Sequence, residues 1–150
     1  MLKAAAEAEN GLELGDGGPF GAVIVKDGKI IASAHNEVIK TNDPTAHAEI
    51  NAIRKATALL GRFDLSDCTI YSSCEPCPMC FAAIHWAKMK NLYYGCTRED
   101  AAAIGFDDNF IYEVIKGTAA NKQVNVQQLD RSSCLPAFEK WKNLEDKTRY

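Results

Sequence analysis

The stretch Ser73-Cys74-Glu75-Pro76-Cys77-Pro78-Met79-Cys80 predicts the point at which a strand gives way to a helix. Prolines are tolerated in a first helical turn, because the N–H that they lack would have no partner there. We therefore predict a helix from about Cys77 to Lys88. Spacing of i, i+3 places the sulfurs of Cys77 and Cys80 on one face of that helix, close enough to hold a single ion.

The tripeptide His47-Ala48-Glu49 supplies the residues that complete such a site. A histidine nitrogen and two cysteine sulfurs suit zinc, and three protein ligands leave one tetrahedral position open, as in catalytic zinc sites. Glu49 is then the candidate proton carrier. A carboxylate with a pKa of about 4.3 cannot deprotonate bulk water, but zinc lowers the pKa of bound water to about 7.

Convergence of His47 and Glu49 requires a particular place on their helix. Residues i and i+2 do not share a face of a regular helix, so both side chains can meet one ion only in the first turn. The preceding Asp43-Pro44-Thr45 is a typical turn and N-cap sequence, which places a helix start at this point.

Two other interpretations of the same residues stay open. Cys74 could act as a fourth ligand and close the site into a structural zinc centre, which would make the protein a zinc-stabilised binding module without an exchangeable water. The cysteines could also be inert core residues beside a surface histidine. The combination of H-x-E with P-C-x-x-C is much more specific than a lone C-x-x-C and favours the catalytic site.

Composition is that of a single globular domain spanning residues 1–150, with 47% hydrophobic and 25% charged residues. A net charge of −3 gives no general attraction to nucleic acid or to an anionic membrane. We expect no membrane span and no signal peptide. Six cysteines without a secretory signal indicate a reducing compartment, the cytoplasm.

Periodicity predicts an α/β fold, a three-layer α/β/α sandwich around a mixed sheet of about five strands. Since the predicted third strand, the cysteine helix and the fourth strand follow in order, strands three and four should be parallel neighbours. The predicted helices cover residues 1–10, 46–60, 77–88, 98–104 and 110–116, and Ser132-Ser133 with Pro136 starts a last helix. The predicted strands are Phe20–Lys26, Lys29–His35, Cys68–Ser72, Asn91–Thr97 and Gln123–Leu129. The dipeptide Asp27-Gly28 between the first two strands predicts a two-residue hairpin turn.

These motifs resemble the zinc-dependent nucleobase deaminases of the cytidine/deoxycytidylate type, which are described by H-x-E and P-C-x-x-C. Within that group the chain is most similar to the short bacterial guanine deaminases. The likeness is carried by Gly18-Pro19-Phe20-Gly21-Ala22-Val23-Ile24-Val25, Thr41-Asn42-Asp43-Pro44-Thr45-Ala46-His47-Ala48-Glu49, Gly105-Phe106-Asp107-Asp108 and the ending at Tyr150. No counterpart is found for residues 118–135, so the path of that segment is not predicted.

The resemblance implies roles for individual residues. His47, Cys77 and Cys80 would hold one zinc ion per subunit, and Glu49 would move the proton. The Ala48 backbone N–H would help to hold the purine carbonyl. The other substrate-pocket residues implied are Phe20, Asn36, Trp86, Asp108 and Tyr150. From composition alone, Trp86 is expected in the core or at an interface.

The activity implied by the resemblance is hydrolytic deamination of guanine to xanthine and ammonia, a reaction of purine metabolism. Guanosine or cytosine/cytidine deamination is the alternative, and tRNA adenosine deamination is disfavoured because the final stretch mixes Lys140, Lys142 and Arg149 with acidic residues. A homodimer is also implied, in which the C-terminal segment, about residues 130–150, crosses to the partner subunit.

Overall fold

The computed structural model describes residues 1–121 and 123–149, which form a four-stranded sheet flanked by helices. The elements in chain order are α1 (Leu2–Leu14), β1 (Gly21–Lys26), β2 (Lys29–His35), α2 (Val38–Thr41), α3 (Ala48–Leu60), β3 (Cys68–Cys74), α4 (Pro78–Trp86), β4 (Asn91–Cys96), α5 (Arg98–Ala103), α6 (Asn109–Lys116) and α7 (Arg131–Lys142).

The strands are ordered β2-β1-β3-β4, with antiparallel pairing in the first two contacts and parallel pairing between β3 and β4. Asp27 and Gly28 both have positive φ, 49° and 72°, as the predicted two-residue hairpin turn requires. Because α4 forms the crossover from β3 to β4, those strands run parallel. The mixed α/β sheet predicted from the sequence is confirmed.

Helices cover both faces of the sheet. Ala22 and Ile24 of β1 belong to the buried core cluster together with Ala52 of α3. Gly21 faces the other way, and a Cβ there would lie 2.1 Å from the Ala4 carbonyl oxygen of α1. Since successive strand residues alternate between faces, α1 and α3 lie on opposite sides of the sheet. The centre of the core is formed by the fully buried Ile24, Leu65 and Ile70.

The prediction of a fifth strand over Gln123–Leu129 is wrong. In the part of the chain that the structure describes, this segment has no strand, and Val124, Val126 and Leu129 are exposed. Alternating valines carry strand propensity, but a strand forms only where a sheet edge and a packing surface accept it. Here the sheet ends at β2 and β4.

The first helix is longer than predicted and includes a glycine. It continues past residue 10 to Leu14, and Gly15 ends it with a φ of 70°. A Cβ at Gly11 would come within 2.8 Å of the His35 side chain, so the glycine permits close contact between α1 and β2. This glycine therefore serves packing instead of breaking the helix.

Several large apolar side chains remain exposed at the C-terminal side of the molecule. Trp86 is 64% exposed, so of its two expected places the core is excluded in the single chain, and the interface stays a prediction. Neither α6 nor α7 contains a buried residue. None of the described helices has the length and apolar character needed to cross a bilayer.

A polar cluster joins α1, β2 and α2. Asp16 accepts hydrogen bonds from His35 Nε2 at 2.8 Å and from Lys40 Nζ at 2.9 Å. Its backbone carbonyl also accepts the N–H groups of Ile39 and Lys40, each at 3.0 Å. The bonds from His35 and Lys40 lower the pKa of the Asp16 carboxyl below its ordinary value of 3.8. The ionised form of Asp16 is therefore favoured by folding.

Asp16→Asn should flatten the dependence of stability on pH. A depressed carboxyl pKa contributes stability that is complete above the pKa of the unfolded chain and is lost as pH falls through the folded pKa. The variant should thus be less stable at neutral pH and lose less further stability between about pH 5 and about pH 2. Urea unfolding midpoints across this range measure the effect, with the exposed Asp146→Asn as the matched control. Parallel curves for Asp16→Asn and the parent would contradict the assignment.

Candidate active site

The three candidate ligands stand at the N-terminal ends of two helices. His47 is the N-cap of α3 and Cys77 the N-cap of α4, both with extended backbone, and Cys80 lies one turn inside α4. His47 Nδ1 is 3.6 Å from Cys77 Sγ and 3.6 Å from Cys80 Sγ. Among the described residues, these three donor atoms form a group within 4.8 Å of one another.

This separation fits a tetrahedral zinc ion. Zinc bonds of about 2.3 Å to sulfur and about 2.0 Å to nitrogen, set at a tetrahedral angle, separate the two donor atoms by about 3.6 Å. The observed distances from His47 Nδ1 to both sulfurs agree with that value. The donor set, one imidazole and two thiols, is also one that zinc prefers.

Cys74 is not part of this group. Its thiol donates to the carbonyl oxygen of Thr97 at 3.4 Å, and burial raises its pKa to about 11. The group of donor atoms that lie within 4.8 Å of one another contains His47, Cys77 and Cys80 without it. The geometry favours three protein ligands and an open fourth position, as in catalytic sites.

The two thiols of the group differ in acidity. The hydrogen bond with Cys80, supported by His47, lowers the pKa of Cys77 to about 4 although burial opposes ionisation. The same hydrogen bond, together with burial, raises the pKa of Cys80. A thiol at a helix N-terminus is also favoured as thiolate by the helix dipole. Cys77 is therefore the more readily ionised ligand.

Glu49 lies in the first turn of α3, where convergence with His47 requires it. It is 6% exposed, and its Oε1 accepts a hydrogen bond of 3.0 Å from the Ser72 hydroxyl of β3. Burial raises the pKa of its carboxyl above the ordinary value of 4.5. A carboxyl of raised pKa is better matched to giving and taking a proton near neutral pH.

A cleft of about 460 Å³ opens above this group. That volume is within the range of sites for small organic ligands. The residues that line it are Gly18, Phe20, Asn36, Val38, Ile39, Pro44, His47, Glu49, Cys74, Glu75, Cys77, Arg98, Ala101, Gly105, Phe106, Asp107 and Asp108.

Three of the predicted substrate residues meet in this cleft. Phe20, Asn36 and Asp108 come from the start of β1, the end of β2 and the N-cap of α6. Asn36 Oδ1 accepts the N–H of Val38 at 3.1 Å, which leaves its amide nitrogen as the donor. Ala48 is the first residue of α3, so its N–H has no acceptor within that helix.

Two more of the predicted substrate residues, Trp86 and Tyr150, are not brought to this cleft by the described chain. Trp86 ends α4 and lies beside a separate apolar groove with Ile53 and Phe63. Tyr150 lies outside the described residues. Their assignment to the substrate pocket stays a prediction.

The cleft is also lined by Glu75, Arg98 and Phe106, for which no role was predicted from the sequence. Phe106 packs edge-on against Phe20, with ring centroids 5.0 Å apart at 89°. Its signal was present, because it lies in the Gly105-Phe106-Asp107-Asp108 stretch. Arg98 carries no comparable sequence signal, since an arginine at the start of a helix is ordinarily solvated.

Comparison with known proteins agrees with this geometry. Residues 1–96 match the family model of the cytidine and deoxycytidylate deaminase zinc-binding region. The chain is 49% identical to guanine deaminase of Bacillus subtilis over 150 residues, which cover all of this chain and 96% of that protein. It is 36% identical over 128 residues to the tRNA-specific adenosine deaminase of Agrobacterium fabrum, covering 85% of this chain and 84% of the relative.

Solved structures give the same result. The crystal structure of Bacillus subtilis guanine deaminase superposes with a TM-score of 0.93, covering 99% of this chain and 95% of that chain. A guanine deaminase from Nitrosomonas europaea, 37% identical, superposes with a TM-score of 0.60 over 69% of this chain and 64% of that chain. With the ligand geometry and the family match together, the chain belongs to the cytidine and deoxycytidylate deaminase family and carries that family's zinc-binding region in residues 1–96.

Proposed function

We propose that this protein is a guanine deaminase, which hydrolyses guanine to xanthine and ammonia. The observation that carries the proposal is the full-length similarity to Bacillus subtilis guanine deaminase, 49% identity with a TM-score of 0.93. The cleft supports it, because Asp108 and Asn36 line the same pocket as His47, Cys77 and Glu49.

One zinc ion per chain would be held by His47, Cys77 and Cys80, whose donor atoms match tetrahedral spacing. When bound, zinc acidifies a water molecule so that it can act as a nucleophile near neutral pH. The rest of the chemistry depends on side chains that bind the purine and move its protons.

Recognition of the base follows from donors and acceptors in the cleft. The Asp108 carboxylate can accept from the N1–H and the amino group of guanine, and the amide nitrogen of Asn36 can donate to a purine acceptor. The Phe20 ring offers an apolar contact for the base. A site built on such hydrogen bonds rejects bases that lack the matching groups more strongly than an apolar pocket would.

Glu49 performs the proton transfer in this proposal. It takes one proton from the attacking water and delivers it to purine N3, and it then takes the remaining proton from the new hydroxyl on C2 and passes it to the departing amine. Water adds its oxygen at C2, the C2–N bond breaks, and ammonia leaves while C2 retains the oxygen as a carbonyl. The buried position of Glu49 and its raised pKa support this exchange in both directions.

Two other activities use the same catalytic group. Deamination of guanosine or of cytosine and cytidine would require the same zinc and Glu49, so ammonia release must be measured on a panel of bases and nucleosides. The similarity to tRNA-specific adenosine deaminases makes an adenosine of tRNA a second candidate substrate. The cleft disfavours a polyanion, because Glu75, Asp107 and Asp108 outnumber Arg98 along its wall.

The cellular setting proposed is purine catabolism in the cytoplasm, where reduced cysteines persist. We also propose a homodimer in which residues 130–150 cross to the partner and place Tyr150 in its pocket. Support comes from the exposed apolar side chains of α7, Phe138 at 71% and Trp141 at 45%, which a partner would cover.

Metal analysis tests the ligand set. Cys80→Ser should lose zinc, because two remaining ligands bind the ion weakly, whereas Cys74→Ala should retain about one zinc per chain. Zinc is measured by atomic emission after dialysis against a mild chelator, and circular dichroism checks that both variants fold. Loss of zinc from folded Cys74→Ala would instead identify a closed structural site.

Glu49→Gln should retain zinc and lose turnover by at least about a hundredfold, because it removes proton transfer without changing the size of the side chain. Ammonia release from guanine is measured with zinc-loaded protein. Glu13→Gln, at an exposed position of α1, is the matched control. Activity near that of the parent in Glu49→Gln would exclude the residue from the role proposed for it.

Deletion of Arg149 and Tyr150 should raise the KM for guanine, and subunit mixing tests the crossing of the tail. In a crossed dimer, a Glu49→Gln chain with an intact tail supplies that tail to the site of a truncated chain that has Glu49. Mixtures refolded together should therefore recover the low KM. No recovery, or no effect of truncation, would contradict the crossing.

A further inference from the structure

A tyrosine hydroxyl attaches helix α6 to the zinc-ligand loop. The helix has no buried residue. The Tyr112 hydroxyl donates to the carbonyl oxygen of Pro76 at 2.9 Å, across 36 positions of sequence. Pro76 is fully buried, and the next residue is the zinc ligand Cys77. This hydrogen bond thus connects a weakly packed helix directly to the metal group.

Arg98 also contacts the ring of Tyr112. Its guanidinium carbon lies 4.6 Å from the centroid of the Tyr112 ring, a cation–π contact. Its Nε is 3.2 Å from Glu75 Oε1, and the Glu75 N–H donates to the Cys96 carbonyl at 2.9 Å. We call the group Glu75, Pro76, Arg98 and Tyr112 the Tyr112 clamp.

The Tyr112 clamp also affects the position of Asp108, the residue just before α6. Asp108 is the N-cap of this helix, four positions before Tyr112. Tyr112 thus lies about one turn beyond Asp108, and the cleft that Asp108 lines is also lined by Cys77, the residue that follows Pro76. Asp108, Arg98 and Glu75 all line that cleft. Holding Tyr112 in place therefore fixes the separation between Asp108 and Cys77.

We propose that Tyr112, stacked on Arg98, is a positioning residue that sets the distance between the substrate-binding carboxylate of Asp108 and the zinc ligands. The inference rests on the proposed guanine deamination, in which Asp108 holds the amino edge of the base while C2 faces the zinc group. A small displacement of Asp108 would lengthen its hydrogen bonds to the N1–H and the amino group of guanine and so weaken binding of the base.

Tyr112→Phe tests this inference, because it removes the hydroxyl and keeps the ring that stacks on Arg98. In zinc-loaded protein we expect the KM for guanine to rise about five- to tenfold, the factor that one hydrogen bond commonly contributes, with kcat within about twofold of the parent. Zinc content should not change. Tyr93→Phe, a half-exposed tyrosine of β4, is the matched control and should behave as the parent.

A double-mutant cycle separates positioning from general support of the fold. If Tyr112 acts through Asp108, Tyr112→Phe should raise KM in the parent and have no further effect in an Asp108→Asn background. Equal effects in both backgrounds, or loss of zinc, would overturn the proposal and make Tyr112 a support of the fold or of the zinc loop. Unchanged KM in the parent background would overturn it as well.

Hydrogen exchange of the α6 amides supplies a readout that needs no substrate. Residues 109–116 should exchange faster in Tyr112→Phe than in Tyr93→Phe, since their attachment to Pro76 is lost. If the parent releases no ammonia from guanine, the proposed function fails, and exchange still decides whether Tyr112 anchors α6. Equal exchange in both variants would overturn the anchoring itself.

Discussion

The meeting of two helix N-termini over three donor atoms is the constraint on which the rest of this structure depends. His47 and Cys77 are both the last extended residue before a helix, and their side chains approach within 3.6 Å. Unpaired N–H groups give each helix start a partial positive charge, which opposes a bare cation and favours a thiolate. Two thiolates would offset the charge of the zinc ion, so this donor set suits its electrostatic surroundings.

The burial of Glu49 is the second unfavourable feature that function explains. A carboxyl that is 6% exposed and accepts a hydrogen bond from the Ser72 hydroxyl has lost most of its hydration. Such a group costs folding free energy unless it is neutral or well paired, which is why its pKa is raised. An apolar residue would stabilise the core better at this position, whereas a residue that transfers protons must be able to exist in both the charged and the neutral form.

Local sequence information predicted those parts of the molecule that local chemistry determines. The metal group, the Asp27-Gly28 hairpin and the parallel pair β3–β4 follow from turn chemistry, proline positions and crossover rules. The end of the first helix and the segment Gln123–Leu129 were misjudged because propensity does not report tertiary partners. The contact of Gly11 with His35 and the missing partner strand for Val124 and Val126 exist only in three dimensions.

The residues around the cleft were harder to predict from the sequence than the group of donor atoms. The resemblance predicted Asp108 as a pocket residue, but it predicted no role for Arg98 or Tyr112. The contact between Tyr112 and Pro76 joins residues 36 positions apart, so it produces no periodic pattern in the sequence.

The cleft is lined by residues from inside and from outside the matched zinc-binding region. The match to the family's zinc-binding region ends at residue 96, and it includes Glu49 and the donor group of His47, Cys77 and Cys80. Asp108 and Phe106 come from beyond that limit, on helices and turns without buried residues of their own. Weak packing lets such elements change with little effect on the core, since surface substitutions seldom alter stability greatly. The part of the cleft wall beyond residue 96 can therefore change while the core and the group of donor atoms stay the same.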